Sequence, residues 1–306
     1  MGDFFNGSDF FGPGSQFMRV APGVVGNMND VALIGLATAG ERDPGDSGQW
    51  GLGVRWNLDF NTEIGLYHYR YHDRVAAMFF DFTGDTRYSS LSSIDRIAGP
   101  GIKFGYFEDI KLTGLSLTSK IGDVQVGSDL SLRQDAPVYL ESGAPTTGDL
   151  LMASANFMYI LGPSFLAQQT TFMGELVSQR IQSVDTLTVT NSFGTTTDKE
   201  YVYDTGDAQQ SRASTLLGLG AYLDYPSIFT GWDLTLSGIW QQNIDGSAYQ
   251  GLGRGEKTLT LGADFSYMGN FEVGATWVNY LSSANIDKGR VMADRDYLSF
   301  NVKYTF

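Results

Sequence analysis

The sequence predicts an all-β protein, an antiparallel transmembrane β-barrel of about twelve strands, and three observations predict it. Apolar and polar residues alternate with a period of two along most of the chain, the connections between these segments run short and long in turn, and aromatics collect near the ends of the apolar stripes. Period two marks a strand with two unlike faces. Short turns on one side and long loops on the other are the layout of membrane barrels, with aromatic girdles at the two interfaces.

Taken in chain order, residues 1–46 are rich in Gly and Phe and read as an amino-terminal segment. Within it Val31–Ala39 is the longest apolar run, and Val31, Leu33, Gly35 and Ala37 offer one weak strand stripe. The barrel is read from residue 47. Segment 48–59 places Trp50, Leu52, Val54, Trp56 and Leu58 on one face. In 62–72, Tyr67, Tyr69 and Tyr71 stand opposite Ile64, Leu66, His68 and Arg70, so either face reads as the apolar one. Segment 105–121 changes phase midway, which predicts a bulge. In 124–134, Val124, Val126, Leu130 and Leu132 face away from Gln125, Asp129, Ser131 and Arg133. Segments 149–161, 165–183 and 211–225 continue the series. In 231–242, Trp232, Leu234, Leu236 and Trp240 oppose Asp233, Thr235, Ser237 and Gln241; 256–268 and 270–281 repeat the pattern. The last segment, 295–306, alternates strictly, with Leu298, Phe300, Val302, Tyr304 and Phe306 against Ser299, Asn301, Lys303 and Thr305.

The short connections are Phe60-Asn61, Gly122-Asp123, Gly162-Pro163-Ser164, Pro226–Thr230 and Gly269-Asn270; the long ones are 73–104, 135–148, 184–210, 243–255 and 282–294. With Phe306 in the periplasm, the long loops face the cell surface. The eleven segments leave closure open. An unpaired edge in lipid costs several kcal/mol for each unsatisfied backbone group, and bacterial single-chain barrels use even strand numbers. Val31–Ala39 as a twelfth strand, an earlier region of a larger barrel, or a partner chain would each close the sheet. The first is adopted for this chain. An eleven-stranded closure would set the first and last strands parallel.

Composition excludes several alternatives. The 306 residues include no cysteine, so disulfides, thiolate metal sites and Cys nucleophiles are out. A net charge of −14 leaves no basic patch for nucleic acid. No run of about twenty apolar residues supplies a membrane helix. Charged residues make up only 18%, below the roughly one quarter usual in soluble domains. The start, Met1-Gly-Asp-Phe-Phe-Asn, has no basic head or apolar stretch and so does not read as a signal peptide. An exported chain of this kind is expected to be mature, recombinant or truncated.

The inward polar stripe predicts the lumen residues Asp129, Arg133, Glu175, Gln179, Arg212, Asp224, Asp233, Asp264, Glu272 and Lys303. Their mixed signs favour ion pairs that stiffen the wall and set solute selectivity if water passes. Gly218 and Gly220, also inward, make room in the lumen or let the strand bend. The outward residues Phe300, Val302, Tyr304 and Phe306 are expected to face lipid and to form the insertion signal that the barrel assembly machinery reads. His68 and His72 share one face about 13 Å apart by strand rise, too far for one metal ion. His72-Asp73 has the look of half a hydrolase arrangement, but no serine partner can be named. Asp43 and Asp46, Asp204 and Asp207, and Asp294 and Asp296 match no full calcium-loop spacing and read as solvated loop charge. No metal or cofactor is expected.

Several strings go beyond a pattern. Asp43-Pro-Gly-Asp-Ser-Gly-Gln-Trp-Gly-Leu52, Thr62-Glu-Ile-Gly-Leu-Tyr-His-Tyr-Arg-Tyr-His72, Glu108-Asp-Ile-Lys-Leu-Thr-Gly-Leu-Ser-Leu117, Gly174-Glu175 and Asp294-Arg-Asp-Tyr-Leu-Ser-Phe300 resemble the carboxyl-terminal half of a large proteobacterial outer-membrane family classed as a domain of unknown function. The resemblance implies an outer-membrane location in a Gram-negative bacterium, contact with lipid and lipopolysaccharide, and a neighbourhood of inner-membrane exporters and a periplasmic lipoprotein. It supplies no catalytic residues. The expectation is a channel or transporter for a small solute, whose hydrophobic character the neighbourhood alone implies. The alternative is a structural scaffold that binds a partner through its surface loops; an outer-membrane hydrolase ranks below both.

Overall fold

A computed structural model of the chain describes residues 17–21, 24–27, 38–42, 44–81, 101–139, 145–185, 187–191, 194–198, 211–247, 252–285, 288, 290 and 295–306. Eleven strands form one sheet: β1 (Trp50–Asn57), β2 (Thr62–Tyr71), β3 (Ile110–Ile121), β4 (Val124–Tyr139), β5 (Pro145–Leu161), β6 (Gln169–Val184), β7 (Ala213–Phe229), β8 (Trp232–Asp245), β9 (Lys257–Tyr267), β10 (Phe271–Tyr280) and β11 (Tyr297–Tyr304). Each pairs antiparallel with the next, so strand order in the sheet is strand order in the chain. The eleven expected segments are these eleven strands, and the fold class is the one the alternation predicts.

The strand expected at Val31–Ala39 lies outside the described residues as far as Ala37. Its last two residues begin a short strand, Thr38–Arg42, that runs parallel to Gly101–Gly105, which in turn pairs with Ala77–Asp81. That three-stranded sheet is separate from the main one. Among the described residues, β1 and β11 are the two edges of an open sheet.

Three local expectations change. The bulge foreseen in 105–121 is absent: β3 starts at Ile110 and holds an unbroken register against both neighbours. The phase change arises because the apolar residues switch faces, Ile110 and Leu112 on one side and Leu115 and Leu117 on the other. Asp109, at φ 64°, ends the preceding segment. The long loop foreseen at 135–148 is mostly a continuation of β4 and β5, which pair on to Tyr139 and Pro145 past a bulge at Asp135 (φ 58°). Within 184–210, Leu187–Asn191 pairs with Gly194–Asp198 as a projecting hairpin. On the other side the connections are short, with Gly122, Gly231 and Gly269 at positive φ where the chain reverses.

This sidedness gives a direct test. An epitope placed at Thr195 in the projecting hairpin is expected to bind antibody on intact cells, whereas one in Gly122-Asp123 is expected to be reached only after lysis. The reverse labelling would invert the topology.

Large apolar side chains are exposed along one face of the sheet, among them Trp56 at 71%, Leu66 at 58%, Leu130 at 46% and Phe300 at 75%. An apolar face running across so many strands far exceeds the patches that soluble monomers tolerate. The fully buried apolar residues are few. Phe107, Ile110, Ala136, Val138, Leu150 and Ile181 lie at or near the long-loop ends of their strands, so among the described residues the small packed core sits at that end of the sheet and not in its middle.

Candidate functional site

Directly paired residues on neighbouring strands point to the same side of a sheet, so the register assigns every side chain to a face. One row can be followed through ten strands: Asn57, Glu63, Thr118, Gly127, Asn156, Glu175, Gly218, Gln241, Thr258 and Tyr280. This is the polar face. Asp129, Arg133, Glu175, Gln179, Asp224, Asp233, Asp264, Glu272 and Lys303 all belong to it. Arg212 lies just before β7, exposed at the loop end, and not within the strand. Phe300, Val302 and Tyr304 lie on the opposite, apolar face, and Phe306 is exposed at the chain end.

The charges on the polar face mostly do not pair with one another. Lys303 Nζ donates to both carboxylate oxygens of Glu272, at 3.1 and 3.2 Å. Asp224 instead accepts from the Thr235 hydroxyl at 2.8 Å, and Asp233 from the Ser227 backbone N–H at 2.7 Å. Arg133 Nε is buried without a hydrogen-bond partner. The expected stiffening ion pairs therefore reduce, within this set, to Glu272–Lys303. Gly218 has open space where a side chain would stand, which keeps the wall low beside Glu175. At Gly274 the opposite holds: the Asp264 and Asn301 side chains fill the place of its missing Cβ.

Register also resolves β2. Ile64, Leu66, His68 and Arg70 share the apolar face with Leu115 and Leu117, while Tyr67, Tyr69 and Tyr71 share the polar one with Gly53, Gly51 and Leu112. The Tyr67 and Tyr69 rings lie nearly parallel, centroids 6.2 Å apart. They occupy the space that Cβ atoms would take at Gly51, Gly53 and Gly65. Arg55 Nε and Ser116 Oγ both donate to the Tyr67 oxygen, each at 3.2 Å. An aromatic floor thus lies within the polar face. Sequence reasoning missed it, although Gly-x-Gly in β1 opposite Tyr-x-Tyr in β2 is its signal.

His72 is a structural residue. Its ring is buried; Nδ1 accepts from the Asp109 N–H at 3.0 Å, and Nε2 lies 2.9 Å from the Ser47 carbonyl. The amide can only donate, so the ring proton sits on Nε2 and is given to that carbonyl. Both nitrogens are occupied, and the ring has no lone pair left for a substrate proton. His68 bonds Thr113 on the apolar side, so the two histidines do not act together. Around His72, Gln49 accepts its backbone N–H, Glu108 accepts from the Gly45 N–H at 2.8 Å, and Arg70 bridges to Asp109 at 2.8 Å. Among the loop carboxylates, Asp296 is used internally by Asn279 and the Tyr280 N–H, and Asp46 is exposed. Asp43, Asp204, Asp207 and Asp294 lie outside the described residues. Among the described residues no three His, Asp or Glu side chains converge.

The whole chain, residues 1–306, matches the family model described as "Protein of unknown function (DUF1302)". The chain belongs to this family. Three of the five strings that carry its resemblance meet in space in this DUF1302 protein: Gly45, Ser47 and Gln49 of the first, Arg70 and His72 of the second, and Glu108 and Asp109 of the third make up the His72 cluster. No curated protein matches the sequence. Among solved structures, the DUF1302 chain is similar to in-vitro folded OmpT, an outer membrane protein of Vibrio cholerae, at 11% identity, covering 86% of this chain and 92% of that one, with a TM-score of 0.34. The trimer form of the same protein is similar at 10% identity, 84% and 91% coverage and a TM-score of 0.34.

Proposed function

We propose that this DUF1302 protein spans the outer membrane of a Gram-negative bacterium and passes a small solute along the polar face of its sheet. The observation that carries this reading is the segregation of faces: one presents exposed Leu, Phe and Trp to lipid, the other gathers the charged and amide side chains. The Tyr67–Tyr69 floor beside Leu112 gives that polar path an apolar stretch, which suits a solute with a hydrophobic part. Phe300, Val302, Tyr304 and Phe306 are read by the barrel assembly machinery, and lipopolysaccharide packs against the outer rim. A periplasmic lipoprotein or an inner-membrane exporter hands the solute on. The role is passage and not catalysis.

Charge gives the test. On the polar face, Glu63, Asp129, Glu175, Asp224, Asp233, Asp264 and Glu272 stand against Arg55, Lys120, Arg133 and Lys303, seven acids to four bases, a net of three negative charges. A pore lined this way favours cations. In planar bilayers under a salt gradient, the reversal potential is expected on the cation-selective side, and Glu175→Gln with Asp264→Asn is expected to move it toward zero. Anion selectivity would contradict the lumen assignment. Insertion with no conductance would leave the scaffold reading.

A further inference from the structure

At the loop end of β8 the strand pair continues one step past β9, where the Asn243 N–H donates to the Glu256 carbonyl at 2.9 Å. Asn243 and Glu256 are therefore directly opposed, with side chains on one side of the sheet. Both are almost completely buried, at 3% and 2% exposure. Asn243 Nδ2 donates to the Gly246 and Leu252 carbonyls, each at 2.7 Å, and two carbonyl acceptors fix the amide with Oδ1 on the other side. Glu256 Oε2 accepts the Gly253 N–H at 2.7 Å. The remaining oxygens, Asn243 Oδ1 and Glu256 Oε1, have no hydrogen-bond partner.

An amide oxygen and a carboxylate oxygen both only accept, and no Lys, Arg or His among the described residues forms an ion pair with Glu256. Arg290, the nearby cation, gives its Nε to the Arg254 carbonyl. A buried carboxylate with one N–H donor and no ion pair is costly, by several kcal/mol. Unpartnered acceptor oxygens on two directly opposed residues suit a hard cation, and calcium takes carboxylate and amide oxygens together with backbone carbonyls and water. We infer that Glu256 and Asn243 form a calcium-type cation site that ties the ends of β8 and β9 together at the outer rim. A single carboxylate places the affinity at about 10⁻³ M, the range of extracellular calcium modules.

The full chain in detergent micelles decides this. About 10 mM Ca²⁺ is expected to raise the unfolding midpoint by about 3 °C, and Tb³⁺ is expected to bind one equivalent with luminescence sensitised by Tyr280, which pairs with Thr258 two residues from Glu256. Glu256→Gln retains an acceptor for Gly253 and adds a donor toward Asn243. It is expected to abolish both responses, while Asp123→Asn in a far turn retains them. No Ca²⁺ response in the wild type, or an undiminished one in Glu256→Gln, would overturn the site; the second result would point to a buried water bridging the two oxygens. Should Glu256→Gln fail to fold, Tyr280→Phe decides: loss of the Tb³⁺ signal with Ca²⁺ stabilisation intact supports the site, and an unchanged signal overturns it.

Discussion

Leu236→Arg is expected to destabilise the protein in lipid by about 2–4 kcal/mol, the cost of a cation on the lipid face near the bilayer midplane. Leu236 lies near the middle of the membrane-crossing part of β8, paired with Leu223 and Ala263 on the apolar face. Its neighbour Ser237 pairs with Tyr222 and Gly262 on the polar face, and Ser237→Arg is expected to cost little. Gly262 leaves room there, since the Ser237 hydroxyl already occupies the place of its missing Cβ. Denaturant titration of both variants in vesicles reads the difference. Equal costs, or a larger cost at Ser237, would mean that the faces are assigned the wrong way round.

Deleting Phe306 is expected to remove most of the assembled protein while leaving synthesis intact. β11 carries Phe300, Val302 and Tyr304 at 75%, 69% and 64% exposure, and Phe306 continues the stripe beyond its end. Heat-modifiable, membrane-inserted protein, measured against total protein, is the readout. An unchanged ratio in the deletion strain would remove these residues from any role in insertion.

The parts of the fold that were legible in the sequence are those where residue type alternates cleanly. β11 is one such case: every second residue from Leu298 to Phe306 is large and apolar, so strand, face and phase follow together. β2 was not legible, because Tyr67, Tyr69 and Tyr71 are as bulky as the residues opposite them. Only pairing with Gly51 and Gly53 shows which side they take. The residues of the polar face, Arg212 apart, could be listed because they alternate with the apolar stripe, but their partners could not. Asp224 and Asp233 turn to a hydroxyl and a backbone amide, which no charge pattern predicts. The structural role of His72 is hidden for the same reason, since the groups that hold its ring are the main chain of Ser47 and Asp109. Glu256 opens the 256–268 segment, yet nothing in the residue types around it marks it as buried. Its burial follows from its place opposite Asn243, where the strand pair runs one step past β9.

The sheet order also bears on how the molecule comes together in time. All ten pairings join strands adjacent in the series, so most can form as local hairpins, and the two that span longer connections, β2–β3 and β6–β7, add a loop-closure cost that grows only slowly with length. None of these pairings satisfies the outer hydrogen bonds of β1 and β11. Whatever finally pairs with them does so last, and until then the nascent sheet offers two sticky borders to any neighbouring copy. Assembly is therefore expected to be most vulnerable to aggregation late, after nearly all of the native register is in place.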